Sequence, residues 1–273
     1  MLDPPQLSPF NRIGLQDLRT EATTALNRRA AQEGVTLLRN HPGADGHPLL
    51  PLSRQVRVQT SLEPHSLLLA CQTRGGTEAW VAGWLQRLEG KRGSLLVAGP
   101  IANNAPNTLG NYDCGYTDWN YTEPGCVNNH TSIVGGLING GTGLNNGEVQ
   151  FMQGCSDCSC VQSNFSDIVA AAESAEVSVV VLGLQNECSG CHCRGCMKDQ
   201  SAFEQEGHDR TSIHFPGNQL KLAADMAGAK PKSLLCVLVH GGSLALSTLL
   251  TDCTAIISVW LPGQQGGAAF ADM

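Results

Sequence analysis

The sequence predicts an α/β domain whose mostly parallel sheet is sandwiched between helices. Two observations carry this. Short, continuous apolar runs at 94–98, 177–182, 233–239 and 255–260 read as strands buried on both faces. Between and after them lie helical patterns at 166–175, 216–227, 243–250 and 264–273, and strands that alternate with helices build a parallel sheet covered on both sides.

Taken in order, residues 1–16 are Pro-rich and irregular, as a linker or the tail of a preceding domain would be. The α/β domain then occupies 17–273. A helix fits 17–34, capped by Asp17 or Thr20, with Leu18, Ala22, Ala25, Leu26 and Ala30 as its apolar stripe and Gly34 at its end. A short strand follows at 35–38. Residues 54–93 show no periodicity and read as an irregular insertion. Residues 100–150, rich in Asn and Gly, read as long surface loops. A second long loop, 183–210, leaves the carboxyl end of strand 177–182, where α/β sheets form their sites. The last helical pattern is still running at Met273, so truncation is expected there.

Composition narrows the function. A hydrophobic share of 41% suffices for a real core, and a net charge of −7 offers no basic footprint for nucleic acid. No apolar run reaches the ~18–20 residues of a membrane span. Met1-Leu2-Asp3-Pro4-Pro5 lacks the basic and apolar regions of a signal peptide. Twelve cysteines nevertheless exceed ordinary cytosolic usage. With glycosylation sequons at Asn120, Asn129 and Asn164, they point to a secreted glycoprotein.

The densest chemistry lies in Glu204-Gln205-Glu206-Gly207-His208-Asp209-Arg210. Glycosidic cleavage uses one carboxylic acid to protonate the leaving oxygen and a second carboxylate across the sugar. A glutamate on a partly enclosed loop suits the acid, because desolvation raises its pKa. Asp209 and Arg210 are expected to shape the loop through a charge-assisted pair. A solvated, charged loop ahead of a helix is the plainer reading of the same residues.

Two cysteine clusters, Cys155-x-x-Cys158-x-Cys160 and Cys188-x-x-Cys191-x-Cys193-x-x-Cys196, leave two readings open: zinc, since two thiolates on a tight turn can share a tetrahedral ion, or disulfide staples. Cys114 and Cys126 flank another loop in keeping with the staples. Cys71, Cys236 and Cys253 are expected to be buried thiols. His240-Gly241-Gly242 has the form of an esterase oxyanion turn, but no G-x-S-x-G elbow accompanies it. The glycines of 135–147 lack the strand and helix of a dinucleotide loop. Trp119 and Tyr121 offer rings for a sugar, or for packing on their own domain.

Several segments then resemble family 3 glycoside hydrolases. Ala30-Ala31-Gln32-Glu33-Gly34-Val35-Thr36-Leu37-Leu38-Arg39-Asn40 resembles the segment that opens the family's second domain, and Leu49-Leu50-Pro51-Leu52 follows it. Gly99-Pro100-Ile101-Ala102-Asn103 and Leu109-Gly110-Asn111-Tyr112 are similar to the next motifs. Glu206-Gly207-His208-Asp209-Arg210, Phe215-Pro216-Gly217-Asn218-Gln219-Leu220, Gly241-Gly242 and Leu261-Pro262-Gly263-Gln264-Gln265-Gly266-Gly267 complete the set. Gly154-Cys155 with Cys160 resembles the plant and fungal β-xylosidase branch.

The resemblance implies a retaining mechanism shared by two domains: a barrel supplies an aspartate nucleophile, and this domain the glutamate acid/base. Carried over, Glu206 is that acid/base, with Glu204 as the alternative two residues away. The implied substrate is an oligo- or polysaccharide, above all xylo-oligosaccharides, with β-glucosyl or α-arabinosyl units as variants. No cofactor is implied. The barrel and its nucleophile are expected to be missing, since Met1 to Pro5 resembles the end of the barrel; Thr117-Asp118-Trp119 resembles the nucleophile motif only superficially and lies in the wrong domain. Two other classes remain: a non-catalytic carbohydrate-binding domain, and a zinc-stabilised module built on Cys188, Cys191, Cys193 and Cys196.

Overall fold

The computed structural model describes residues 4, 7–18, 20–42, 46–50, 52, 95–109, 131–139, 149–155, 157–162, 164–185, 204 and 209–273. Its strands are β1 (Thr36–Asn40), β2 (Leu95–Ala98), β3 (Val149–Met152), β4 (Val177–Gly183), β5 (Leu234–Val239) and β6 (Ala255–Trp260). Its α-helices are α1 (Leu15–Leu18), α2 (Glu21–Gly34), α3 (Ile133–Asn139), α4 (Ser166–Ser174), α5 (Gln219–Gly228), α6 (Leu249–Asp252) and α7 (Gly266–Asp272). The strands form one sheet in the order β1-β6-β5-β4-β2-β3. Among these described strands the β1–β6 pairing is antiparallel and the other pairings are parallel.

The apolar runs form strands because both faces of the sheet are covered. Successive side chains point to opposite faces. Leu95, Val97, Val179, Val181, Leu235, Val237 and Ile257 join a core with Ile133, Val134 and Leu137 of α3. Leu96, Ala98, Val180, Leu182, Cys236, Leu238 and Ile256 join the other, with Ile168 and Ala172 of α4 and Leu222, Ala223 and Met226 of α5. Full burial of one such Val, Leu or Ile contributes about 1.5–3 kcal/mol. β3 and β4 flank β2, so the chain reverses its strand order there. The carboxyl ends of β2 and β4 thus border the switch point, where ligands of open α/β sheets bind.

Five expectations are corrected. The helix at 17–34 is two helices, because Thr20 takes an extended conformation and caps α2, its hydroxyl accepting from the Thr23 amide at 3.1 Å. Ala22, Ala25, Leu26 and Ala30 of the proposed stripe are exposed. Instead Ala31 is buried, while Arg28 and Gln32 grip the Asp272 carboxylate of α7 at 2.5–2.6 Å. The stretch 100–150 holds α3 and the start of β3 as well as loop. At 243–250 the predicted helix is confined to Leu249–Asp252, because the Ser243 carbonyl and the Ala245 amide are engaged by Arg210 and Ile213. Cys236 and Cys253 are buried as expected but joined in a disulfide. Residues 54–93 lie outside the described residues, as does Cys71.

Gly135-Gly136, part of a stretch read as loop, sits within α3, and at Gly136 only a bare backbone fits. A Cβ on Gly136 would lie 1.8 Å from the Gly267 carbonyl oxygen, and one on Gly267 1.9 Å from that of Ser132. A helical Gly→Ala change ordinarily gains up to about 1 kcal/mol. Gly136→Ala is expected to reverse that sign and cost about 1–3 kcal/mol in urea denaturation. Gly34→Ala, with nothing within 4 Å of the added carbon, is the control expected to be neutral or stabilising.

Candidate active site at the carboxyl ends of β4 and β5

The strand ends come close enough to share one site. Gly183, the last residue of β4, has φ +143°, and a Cβ there would meet the Val239 carbonyl oxygen of β5 at 1.9 Å. Gly99, just beyond β2, has φ +120° and leaves a Cβ 2.2 Å from the Val181 carbonyl oxygen. Glycine alone adopts such backbone without strain. The fully buried Gln219 side chain then bonds both backbone groups of Gly183: its Oε1 accepts from the amide at 2.8 Å and its Nε2 donates to the carbonyl at 2.9 Å. Its Nε2 also donates to the Cys158 carbonyl at 2.7 Å. Asn107, equally buried, donates to the Leu184 carbonyl at 2.8 Å.

The long loop departs after Gln185 and returns at Glu204, whose amide donates to the Gln185 carbonyl at 3.0 Å. Both oxygens of the Glu204 carboxylate are held. Oε1 accepts from the Gly241 amide at 2.5 Å and Oε2 from the Gly242 amide at 2.6 Å. The His-Gly-Gly turn therefore does offer paired amides to an anion, and the anion is this domain's own carboxylate. Arg210 shapes the far stem by donating to the carbonyls of His214 at 2.6 Å and Ser243 at 3.1 Å. Asp209 lies exposed beside it. Glu206, Cys188, Cys191, Cys193 and Cys196 lie outside the described residues, as do Trp119 and Tyr121.

His240 underlies the turn and is 6% exposed. Its Nδ1 lies 2.6 Å from the Gly242 carbonyl oxygen, which can only accept, so Nδ1 carries the proton. Nε2 is left to accept from the Ser258 hydroxyl at 2.9 Å. Burial pushes the imidazole pKa down, against the opposing pull of the Gly242 carbonyl and of Glu204. The ring lies against Trp260, centroids 4.9 Å apart, and the Trp260 indole donates to Thr36 at 3.0 Å.

The first cysteine cluster holds a disulfide. Cys155 is bonded to Cys160, while Cys158 is a buried thiol whose pKa is pushed far up by desolvation, which makes it a poor nucleophile and metal ligand. Of the three sequons, Asn164 is described: it is exposed at the start of α4, its Oδ1 accepting from the Ser166 amide at 3.2 Å. Asn120 and Asn129 lie outside the described residues.

Residue spacing alone did not reveal the roles of His240, Gln219 and Asn107. Gln219 and Gly241-Gly242 did stand in the motifs that carried the family resemblance. The paired amides make a direct prediction. Glu204→Gln keeps the side chain's shape but turns an NH2 toward one of two N–H donors. It is expected to cost about 2 kcal/mol in urea denaturation; stability equal to wild type would remove the carboxylate clasp.

Comparison with known proteins agrees with this architecture. A family profile described as "Glycosyl hydrolase family 3 C-terminal domain" matches residues 35–273. A beta-xylosidase/alpha-L-arabinofuranosidase of Medicago sativa subsp. varia is 27% identical over 98% of this chain and 26% of its own length. A probable exo-1,4-beta-xylosidase of Aspergillus clavatus is 26% identical over 99% of the chain and 26% of its own. The chain thus spans about a quarter of the length of these relatives. Among solved structures, a GH3 exo-beta-xylosidase in complex with a xylobiose aziridine activity-based probe is 24% identical, with a TM-score of 0.62 over 98% of this chain and 26% of that one. A beta-glucosidase from Listeria innocua in complex with isofagomine is 18% identical, with a TM-score of 0.60 over 97% of this chain and 27% of that one. Those two similarities concern the fold. The sheet, the motif order and the profile match agree: the chain belongs to glycosyl hydrolase family 3, as its C-terminal domain.

Proposed function

We propose that this domain supplies the general acid/base of a retaining exo-glycosidase and that Glu206 is that residue. The observation that carries the choice over Glu204 is the clasp: a carboxylate whose two oxygens each accept a backbone amide serves as an anchor. Glu206 stands two residues further along the same loop. The anchor holds the loop's return stem at the carboxyl end of β4, and Arg210 steadies the segment that follows.

A retaining glycosidase needs a second carboxylate about 5–5.5 Å from the acid, to form and release a covalent glycosyl intermediate. We assign that nucleophile to an N-terminal barrel in the longer protein. Two observations support a covering partner: the quarter-length match to the relatives, and exposed Leu7, Phe10, Ile13, Leu26, Leu37 and Leu38 along the first part of the chain. The substrate is a terminal β-xylosyl unit of a xylo-oligosaccharide, a choice that follows the names of the plant and fungal relatives. The Cys155–Cys160 and Cys236–Cys253 disulfides support a secretory route, where Asn164 is the exposed candidate for glycosylation.

Two outcomes test this reading. The isolated chain should give negligible turnover, and the full-length protein should hydrolyse aryl-β-xyloside faster than aryl-β-glucoside, with Glu206→Gln lowering kcat by ~10²–10⁴-fold. Turnover by the isolated chain that Glu206→Gln abolishes would remove the need for a second domain. Expressed through a eukaryotic secretory pathway, the chain should shift in mass on deglycosylation, and Asn164→Gln should reduce that shift; a shift that Asn164→Gln leaves unchanged would clear this site.

A further inference from the structure

The turn that clasps Glu204 is itself held from beneath, by a residue no motif singled out for that role. We propose that His240 is the positioning residue of the acid/base loop: wedged between the Gly242 carbonyl, the Ser258 hydroxyl and the Trp260 indole, it sets the turn whose amides hold Glu204. This rests on the reading that the loop carries the acid/base. The contacts run in one chain. Ser258 donates to Nε2 at 2.9 Å, Nδ1–H donates to the Gly242 carbonyl at 2.6 Å, and the Gly241 and Gly242 amides reach the carboxylate at 2.5 and 2.6 Å. The His240 amide is tied as well, donating to the Trp260 carbonyl at 3.2 Å.

Trp260 closes the far side of the wedge under strain. Its φ of +57° is rare for a bulky residue. Such backbone persists only where its surroundings hold it, and it gathers at functional sites. Here the His240 ring and the Thr36 hydroxyl hold the indole.

The arrangement has one protonation state in which every contact is made. With the proton on Nδ1 alone, Nε2 accepts from Ser258. A second proton makes Nε2 a donor against a buried hydroxyl that must turn its own hydrogen away. Among the described residues, the charged groups acting on the ring are Glu204, which favours that proton, and Arg210, which opposes it; burial opposes it most. The folded pKa is therefore below the ordinary ~6.5. Below that pH the unfolded chain binds more protons than the folded one, so the stability that neutral His240 confers is present above ~6.5 and is lost as pH falls toward the lowered value. The turn, and with it the loop stem, should loosen on the acid side.

Amide hydrogen exchange on this chain tests the proposal, with protection factors at about pH 7.5 and about pH 5 compared against core amides of β4 and β5. In the wild type, protection of the Glu204, Gly241 and Gly242 amides should fall about tenfold more than the core on acidification. His240→Gln, which can donate to Gly242 and accept from Ser258 without titrating, should keep the neutral-pH protection and lose its extra acid sensitivity. His240→Leu should lose protection at both pH values. Wild-type protection in a folded His240→Leu variant would overturn the proposal. So would acid sensitivity that persists in His240→Gln, a result that decides the matter even where the leucine variant does not fold. Glu204→Gln separates the links: if it frees the loop and His240→Leu does not, the anchor stands and the histidine's role falls. The chemical role of Glu206 is read separately, by hydrolysis in the full-length protein.

Discussion

The site depends on backbone meeting backbone at the carboxyl end of the sheet. Gly99 and Gly183 each stand where a single added carbon would collide with the carbonyl of the neighbouring strand. With no side chains in between, the ends of β2, β4 and β5 lie tight against one another. A loop leaving β4 can then be caught by a turn leaving β5. Gln219 stabilises this crowded corner by bonding, from one side chain, both the amide and the carbonyl of Gly183. Any account of Glu204 or Glu206 begins from that corner, because a rotation of either strand end would carry the paired amides out of reach.

A carboxylate held by two amides of a glycine turn is an economical way to close a long excursion. Glu204 ties its own stretch of chain both to Gln185 after β4 and to the turn after β5. Fixing the stem also separates two tasks that one carboxylate could not perform together. Glu204 holds shape, which needs both its oxygens engaged. The proton donor to a leaving group must have an oxygen to offer, the task we propose for Glu206.

Much of the fold was legible because strands buried on both faces must be written as unbroken apolar runs, and 177–182, 233–239 and 255–260 became β4, β5 and β6 within a residue. The errors share a cause: tertiary contact overrode local pattern. α3 carries Gly135-Gly136, which reads as loop until the backbone of Gly267 is seen against it. At 243–246 the pattern is helical, but Arg210 and Ile213 occupy the backbone groups a helix would use. Leu26 lies at helical spacing yet exposed, since α2 faces α7 through Arg28 and Gln32. The disulfide between Cys236 and Cys253 joins residues 17 apart that no spacing rule pairs. At the site, Glu204 is the loop carboxylate that lies among the described residues, and its part as an anchor became legible only with the positions of two amide groups.

The central claim is that division of labour, and leaving-group dependence in the full-length protein tests it most directly. Aryl β-xylosides of graded phenol pKa should be compared in wild type, Glu204→Gln and Glu206→Gln. Loss of the proton donor makes the rate fall steeply as the leaving group becomes more basic, whereas loss of an anchor slows all substrates alike. The expected result is a steep dependence in Glu206→Gln alone. A steep dependence in Glu204→Gln, with a flat one in Glu206→Gln, would show that the clasped carboxylate is the acid and that the division of roles is wrong.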